Sequence, residues 1–229
     1  MASSSSSSTP AFIFDLDGTL LDSVYQHVTA WQRAFAAVGV DLSIWRIHKR
    51  IGMSGSLLAK RVSRESGTTL TPAQEKKVEE LHTEYFKESV DWVQPLPGSR
   101  ELLTALTDAG VPWIIATSGA KDEAESHLAK LQLPEDPRWI SSADVSAAKP
   151  DPEIFVAAAD RLGVGPEHCI AVGDAIWDLL AANRARMLAV GLMCGGYSRE
   201  ELMGAHAFRV FLDPADLHGS LDEIGVDLG

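Results

Sequence analysis

Six short runs rich in apolar residues constrain this chain more than any other feature: AFIF (11–14), VPWIIAT (111–117), RWISS (138–142), CIAVGD (169–174), MLAVGL (187–192) and FRVF (208–211). Alternating polarity would mark strands with one wet face, whereas continuous hydrophobicity marks strands covered on both faces. Helical patterns lie between the later runs, at 98–109 before Gly110, at 121–131, at 152–162 between Pro152 and Gly163, and at 175–185. Proline in a first turn and glycine behind a last one are the expected helix boundaries. Strand–helix alternation of this kind requires parallel strands joined by right-handed crossovers. The expected fold is therefore α/β, a doubly wound parallel sheet. From Asp22 to Gln94 the rhythm breaks: no strand pattern is visible, and helical segments are predicted at 23–38, 41–51, 54–66 and 72–90. The expected division is an α/β core from 11–21 and 96–229, a helical insertion over 22–95, and a disordered low-complexity tail over 1–10 (MASSSSSSTP).

Composition excludes several classes of function. A net charge of −12 over 229 residues offers no basic surface for a nucleic-acid backbone. No apolar run approaches the roughly 18 residues that would span a bilayer. The first ten residues lack the basic and apolar regions of a signal peptide, and Cys169 and Cys194 are expected as free thiols, so a reducing cytoplasmic setting is expected. No feature of the sequence fixes an oligomeric state.

In open α/β sheets, ligands bind beyond the carboxyl ends of the strands. The first run ends in DLDGT, which places Asp15, Asp17, Gly18 and Thr19 there; VPWIIAT ends in Thr117, followed by Ser118 and Gly119. CIAVGD ends in Asp174, with Asp178 one helical turn on, and Lys149 stands in the loop before the 152–162 helix. Carboxylates this close resist ionising together unless a cation offsets them. Carboxylates, hydroxyls and an amine gathered at the strand ends read as a site for a divalent metal and a phosphate.

These four segments, in this order, resemble the motifs of the haloacid dehalogenase-like hydrolases, in the capped branch of phosphatases and β-phosphoglucomutase-like enzymes. The resemblance runs from residue 11 to about 213. It implies a Rossmann-like core with an inserted helical cap that closes over the site. Asp15 would be the nucleophile, forming an aspartyl-phosphate, and Asp17 the general acid and base. Mg²⁺ would be held by Asp15, the Asp17 carbonyl and Asp174, with Asp178 as a further metal-site carboxylate. Thr117, Ser118, Gly119, Gly18 and Thr19 would contact the phosphate, and Lys149 would neutralise both Asp15 and the phosphoryl group. The substrate implied is a small-molecule phosphate ester such as a sugar phosphate or phosphoglycolate. An acid at Asp17 favours this over a 2-haloacid dehalogenase, whose halide leaves without a proton. It also argues against a non-catalytic phospho-ligand binder.

A phosphosugar mutase is the main alternative. YQHVTAW (25–31) resembles the mutase branch and makes His27 a candidate substrate contact; on its own, a His and a Trp at i, i+4 are an ordinary packed helix face. Beside Gly52, Lys49 and Arg50 are candidates for an anionic substrate, or simply solvated charges. The mutase pattern has basic residues next to this glycine and three positions on, where Ile51 and Gly55 stand here, and that departure weakens a mutase. Asp22 is expected to cap the 23–38 helix, with Ser23 sharing that role. The remaining histidines, 48, 82, 127, 168, 206 and 218, show no ligand spacing and receive no role. Arg186 occupies a position where this family commonly has glycine.

Overall fold

Ala11 and Ile13 face one side of the first strand and Phe12 and Phe14 the other, and all four are fully buried. That is the two-sided burial the continuous apolar run predicts. The computed structural model describes residues 10–65 and 67–228; the predicted tail, apart from Pro10, lies outside the described residues. The strands are β1 (Ala11–Phe14), β2 (Leu21–Asp22), β3 (Gln94–Pro95), β4 (Trp113–Ala116), β5 (Trp139–Ile140), β6 (Cys169–Gly173), β7 (Leu188–Leu192) and β8 (Arg209–Phe211). Six of them form one parallel sheet in the order β5-β4-β1-β6-β7-β8, with β1 at its centre.

Between strands run α5 (Ser99–Asp108), α6 (Lys121–Lys130), α7 (Glu153–Leu162), α8 (Ile176–Arg184) and α9 (Arg199–Gly204), and α10 (Pro214–Gly219) follows β8. Leu102, Leu106, Leu128 and Leu217 put α5, α6 and α10 on the Phe12/Phe14 face. Phe155, Ala158, Leu179 and Leu202 put α7, α8 and α9 on the other. The sheet is therefore covered on both faces, as a doubly wound core requires. No helix among the described residues is long and apolar enough to cross a membrane, and both cysteines are free thiols.

The insertion holds α1 (Val24–Ala37), α2 (Ile44–His48), α3 (Gly55–Glu65) and α4 (Pro72–Lys87) around a core of its own built on Trp31, Phe35, Ile47, Leu58, Val62 and Val78. Helix α4 starts where the sequence says it must. Pro72 opens it, and Thr71 and Gln74 exchange bonds in a capping box. Several elements differ from expectation. The insertion is not strand-free at its ends, because Leu21 and Asp22 pair antiparallel with Pro95 and Gln94. The 41–51 helix shrinks to α2, the last predicted turn of 72–90 becomes a 3-10 turn, and only two residues of 138–142 join the sheet. Asp22 lies in β2 rather than capping α1; Ser23 is the N-cap, and its side chain makes no capping bond. Arg186 takes a left-handed φ of 63°, the conformation for which glycine is the unstrained residue.

Candidate active site

Strands β1 and β6 are neighbours in register, Phe14 opposite Val172, so Asp15 and Asp174 emerge nearly side by side. The Asp15 amide donates to the Val172 carbonyl at 2.9 Å. Asp178 is brought back by the first turn of α8, where its carboxylate accepts from the Ala175 amide at 3.0 Å. Carboxylate oxygens of Asp15, Asp174 and Asp178 lie within 4.8 Å of one another, and all three residues are buried. Lys149 is fully buried beneath them, with Nζ 2.5 Å from Asp15 Oδ1 and 2.7 Å from Asp178 Oδ1; it also donates to the Ala116 carbonyl at 3.2 Å.

One ammonium cannot balance three buried carboxylates. Burial pushes the Asp15 carboxyl up to about 7 even though Lys149 opposes the shift, and burial with Asp178 and Asp15 as neighbours holds Asp174 well above the usual range. The deficit is two positive charges, and the donors are hard oxygens, so the cluster fits a divalent cation such as Mg²⁺. Thr19 supports this half of the site, donating from Oγ1 to Asp174 Oδ1 at 3.0 Å. Gly18 has φ 88°, and a Cβ there would lie 2.6 Å from Asp174 Oδ2, so glycine is required for Asp174 to fit. The Gly18 amide is itself used by the Leu21 carbonyl at 2.8 Å.

Asp17 faces a different environment. His127 Nδ1 of α6 is 2.9 Å from Asp17 Oδ1, and His27 Nε2 of α1 is 3.5 Å away. Ser23 donates to the same oxygen at 2.7 Å. Burial alone would raise the Asp17 carboxyl, but the two imidazoles outweigh it and hold it well below its ordinary value. His27 also lies 3.4 Å from Glu123. Burial opposes charge on His27, yet Asp17 and Glu123 raise its pKa; burial and His27 push His82 well down. His27 Nδ1 and His82 Nε2 lie 3.1 Å apart, a hydrogen bond between the two rings.

Asp15 and Asp17 open into a cavity of about 350 Å³ that is also lined by Thr117, Ser118, Gly119 and His27. Thr117 Oγ1 accepts from the Gly119 amide at 3.0 Å, and Ser118 donates from Oγ to the Gly52 carbonyl of the insertion at 3.0 Å. Further bonds dock the insertion on the core: Trp177 and Tyr197 both donate to the Lys49 carbonyl at 3.1 Å, and His48 Nε2 meets the Gly195 carbonyl at 2.8 Å. Gly18, Thr19 and Lys149 do not line the cavity; they act beneath it. Arg50, expected at the substrate, is also outside it. Its guanidinium lies 2.6 Å from Glu65, and Lys49 is 2.5 Å from Glu201, so neighbouring carboxylates consume both charges. Residues without a sequence-derived role appear instead: His127, Glu123 and His82. The available signal was the i, i+4 pair Glu123 and His127 on the helix that follows Thr117, since the first turns of such a helix face the strand end.

A family model described as haloacid dehalogenase-like hydrolase matches residues 9–186. A hydrolase from Pseudomonas syringae with a known crystal structure is 46% identical and superposes with a TM-score of 0.92, covering 95% of this chain and 100% of that one. Validoxylamine A 7'-phosphate phosphatase from Streptomyces hygroscopicus subsp. limoneus is 35% identical over 188 residues, 79% of this chain and 84% of that protein. Beta-phosphoglucomutase from Bacillus subtilis (strain 168) is 29% identical over 188 residues, 80% of this chain and 82% of that protein.

Proposed function

Because the chain belongs to the haloacid dehalogenase-like hydrolases and is an enzyme of phosphate monoesters, we propose that it is a Mg²⁺-dependent phosphatase of a small phosphorylated metabolite, with Asp15 as nucleophile. The observation that carries this reading is the buried set Asp15, Asp174 and Asp178 around the single cation of Lys149. Mg²⁺ held by Asp15, Asp174 and the Asp17 carbonyl, with Asp178 behind them, would draw negative charge from the phosphoryl oxygens when bound.

The chain's own groups supply the rest. A carboxylate oxygen of Asp15 forms a bond to phosphorus as the ester P–O bond breaks. The leaving oxygen keeps the bonding pair and takes a proton through Asp17, supplied by the imidazolium of His27, whose pKa the same carboxylate raises. Asp17 then takes a proton from water as the water oxygen attacks the aspartyl-phosphate. The bond between Asp15 and phosphorus breaks, and phosphate leaves. Thr117 and the Ser118 amide, which donates to no protein acceptor among the described residues, stand where phosphoryl oxygens would be held. Lys149 fixes Asp15 and offsets charge from below.

Hydrolysis is favoured over phosphosugar transfer by the cavity wall, which carries no lysine or arginine among the described residues. A mutase must grip a second phosphate, and neutral hydroxyls grip one poorly. The test is phosphate release from sugar phosphates, phosphoglycolate, nucleotides and p-nitrophenyl phosphate, with Mg²⁺, with EDTA, and in Asp15→Asn. Turnover requiring both the metal and Asp15 is expected. Activity that survives Asp15→Asn, or an isomerised sugar phosphate in place of free phosphate, overturns the reading.

A further inference from the structure

We propose that the alcohol this site releases carries a protonated amine, and that Glu79 on the inserted helices receives it. The proposal rests on the phosphatase reading and names its substrate class.

The insertion lines the cavity from α1, α4 and the first turn of α3. His27 and Trp31 come from α1 at i, i+4; Glu79, His82 and Thr83 come from α4 at i, i+3, i+4. A cavity of about 350 Å³ is the size that holds a hexose-scale ligand. The uncharged polar side chains of its wall, Ser54, Ser56, Thr83 and Ser142, suit a polyhydroxylated body.

Charge then discriminates. Asp15 is paired to Lys149, and Asp17 and Glu123 both face His27, with His127 also beside Asp17. Glu79 is the remaining charged group of the wall, and no cation lies within ion-pair distance of it among the described residues. The basic side chain nearest in effect, Lys60, is 3.9 Å from Glu75. Partial burial and the anionic neighbour Glu75 raise the Glu79 pKa, and Lys60 only partly opposes them. Glu79 lines the cavity, and a Cβ added at Gly55 would lie 3.3 Å from the Trp31 ring and 3.7 Å from Glu79 Cγ, so the Gly55 backbone and the Trp31 ring wall that corner of it. An ammonium seated there would gain an ion pair in a partly dry pocket, whereas a carboxylate or second phosphate would meet Glu79 with no compensating lysine or arginine.

Three esters built on one hexose frame test this: glucosamine 6-phosphate, glucose 6-phosphate and 6-phosphogluconate, assayed at about pH 6.5, where such an amine is protonated. The amine ester should exceed the neutral ester by roughly fivefold in kcat/KM, with the carboxylate ester lowest. Glu79→Gln should bring the amine-to-hydroxyl ratio close to one, and Glu79→Asp should keep part of it. Equal rates for the amine and neutral esters, or a ratio that survives Glu79→Gln, overturns the proposal. The same two esters titrated calorimetrically into Asp15→Asn, with and without Glu79→Gln, read the preference without turnover; equal affinities overturn it there too. Failure of the parent to hydrolyse p-nitrophenyl phosphate would instead strike the phosphatase reading, so the two failures are told apart.

Discussion

Asp15 and Asp17 leave the same strand end two residues apart and enter opposite electrostatic surroundings. Asp15 looks into the core, toward Asp174 and Asp178, with Lys149 as its one counter-charge, and its carboxyl is pushed up to about 7. Asp17 looks toward α1 and α6, where His27 and His127 hold its carboxyl low. The first cluster is short of positive charge and fits a divalent metal. The second is balanced by imidazoles that the chain itself provides. Covalent proximity therefore does not decide how a carboxylate behaves; the elements packed against each side chain do. It also follows that the Asp15 half depends on the core alone, whereas the Asp17 half is assembled partly from the insertion.

The largest expected effect comes from removing Lys149. Lys149→Met leaves three buried carboxylates without an internal cation, and a broken buried pair costs about 3–5 kcal/mol. Urea unfolding should show that loss, and phosphate release should fall by about 10²–10³-fold. A small loss in both would mean that the Asp15 half is wetter than its burial indicates.

The metal-free protein gives a contrast in pH. A carboxyl whose folded pKa is raised contributes stability that is present below about 4 and is lost as pH rises through the folded value. Asp15, moving from 3.8 to about 7, should make EDTA-treated protein less stable across that window, by on the order of 4 kcal/mol. Added Mg²⁺ should flatten the fall. Asp17 has the opposite sign: its depressed pKa contributes stability present above about 4 that is lost as pH drops through the folded value. Thermal melts from pH 3 to 8, with Asp17→Asn as the partner variant, separate the limbs. A metal-free curve that rises between pH 4 and 7 would reverse the contrast.

The smallest effect should follow His127→Gln. Removing the nearer imidazole should cost about 1–2 kcal/mol and move the acid limb of the kcat/KM profile upward as the Asp17 pKa rises. An unmoved limb would transfer the balancing role to His27 alone.

Much of the Asp15 half was legible because its parts sit at strand ends. A continuous apolar run stopping at Asp or Thr marks both the strand and the place where its last side chain emerges, as at Asp15, Thr117 and Asp174. The Asp17 half was not legible in that way. His127 stands 110 positions from Asp17, and only the packing of α6 beside β1 makes them neighbours. Arg50 failed for a related reason: a basic residue near the entrance was free in the sequence, but Glu65 on the next helix takes it. Ser23 does stand at the N-cap, but its hydroxyl is turned to the Asp17 oxygen instead of to the helix amides. The pairing of β2 with β3 is two residues long, too short for alternation or propensity to register.

That short pairing has a consequence of its own. Because Leu21–Asp22 and Gln94–Pro95 lie side by side, the chain departs the core and returns to it through one doorway, with strands about 4.8 Å apart. Everything beyond the doorway has its own apolar centre. A different folded module whose ends meet at that spacing could be spliced in without moving any strand of the sheet. A chain built on this plan can therefore exchange its inserted module while leaving Asp15, Lys149 and Asp174 where they stand.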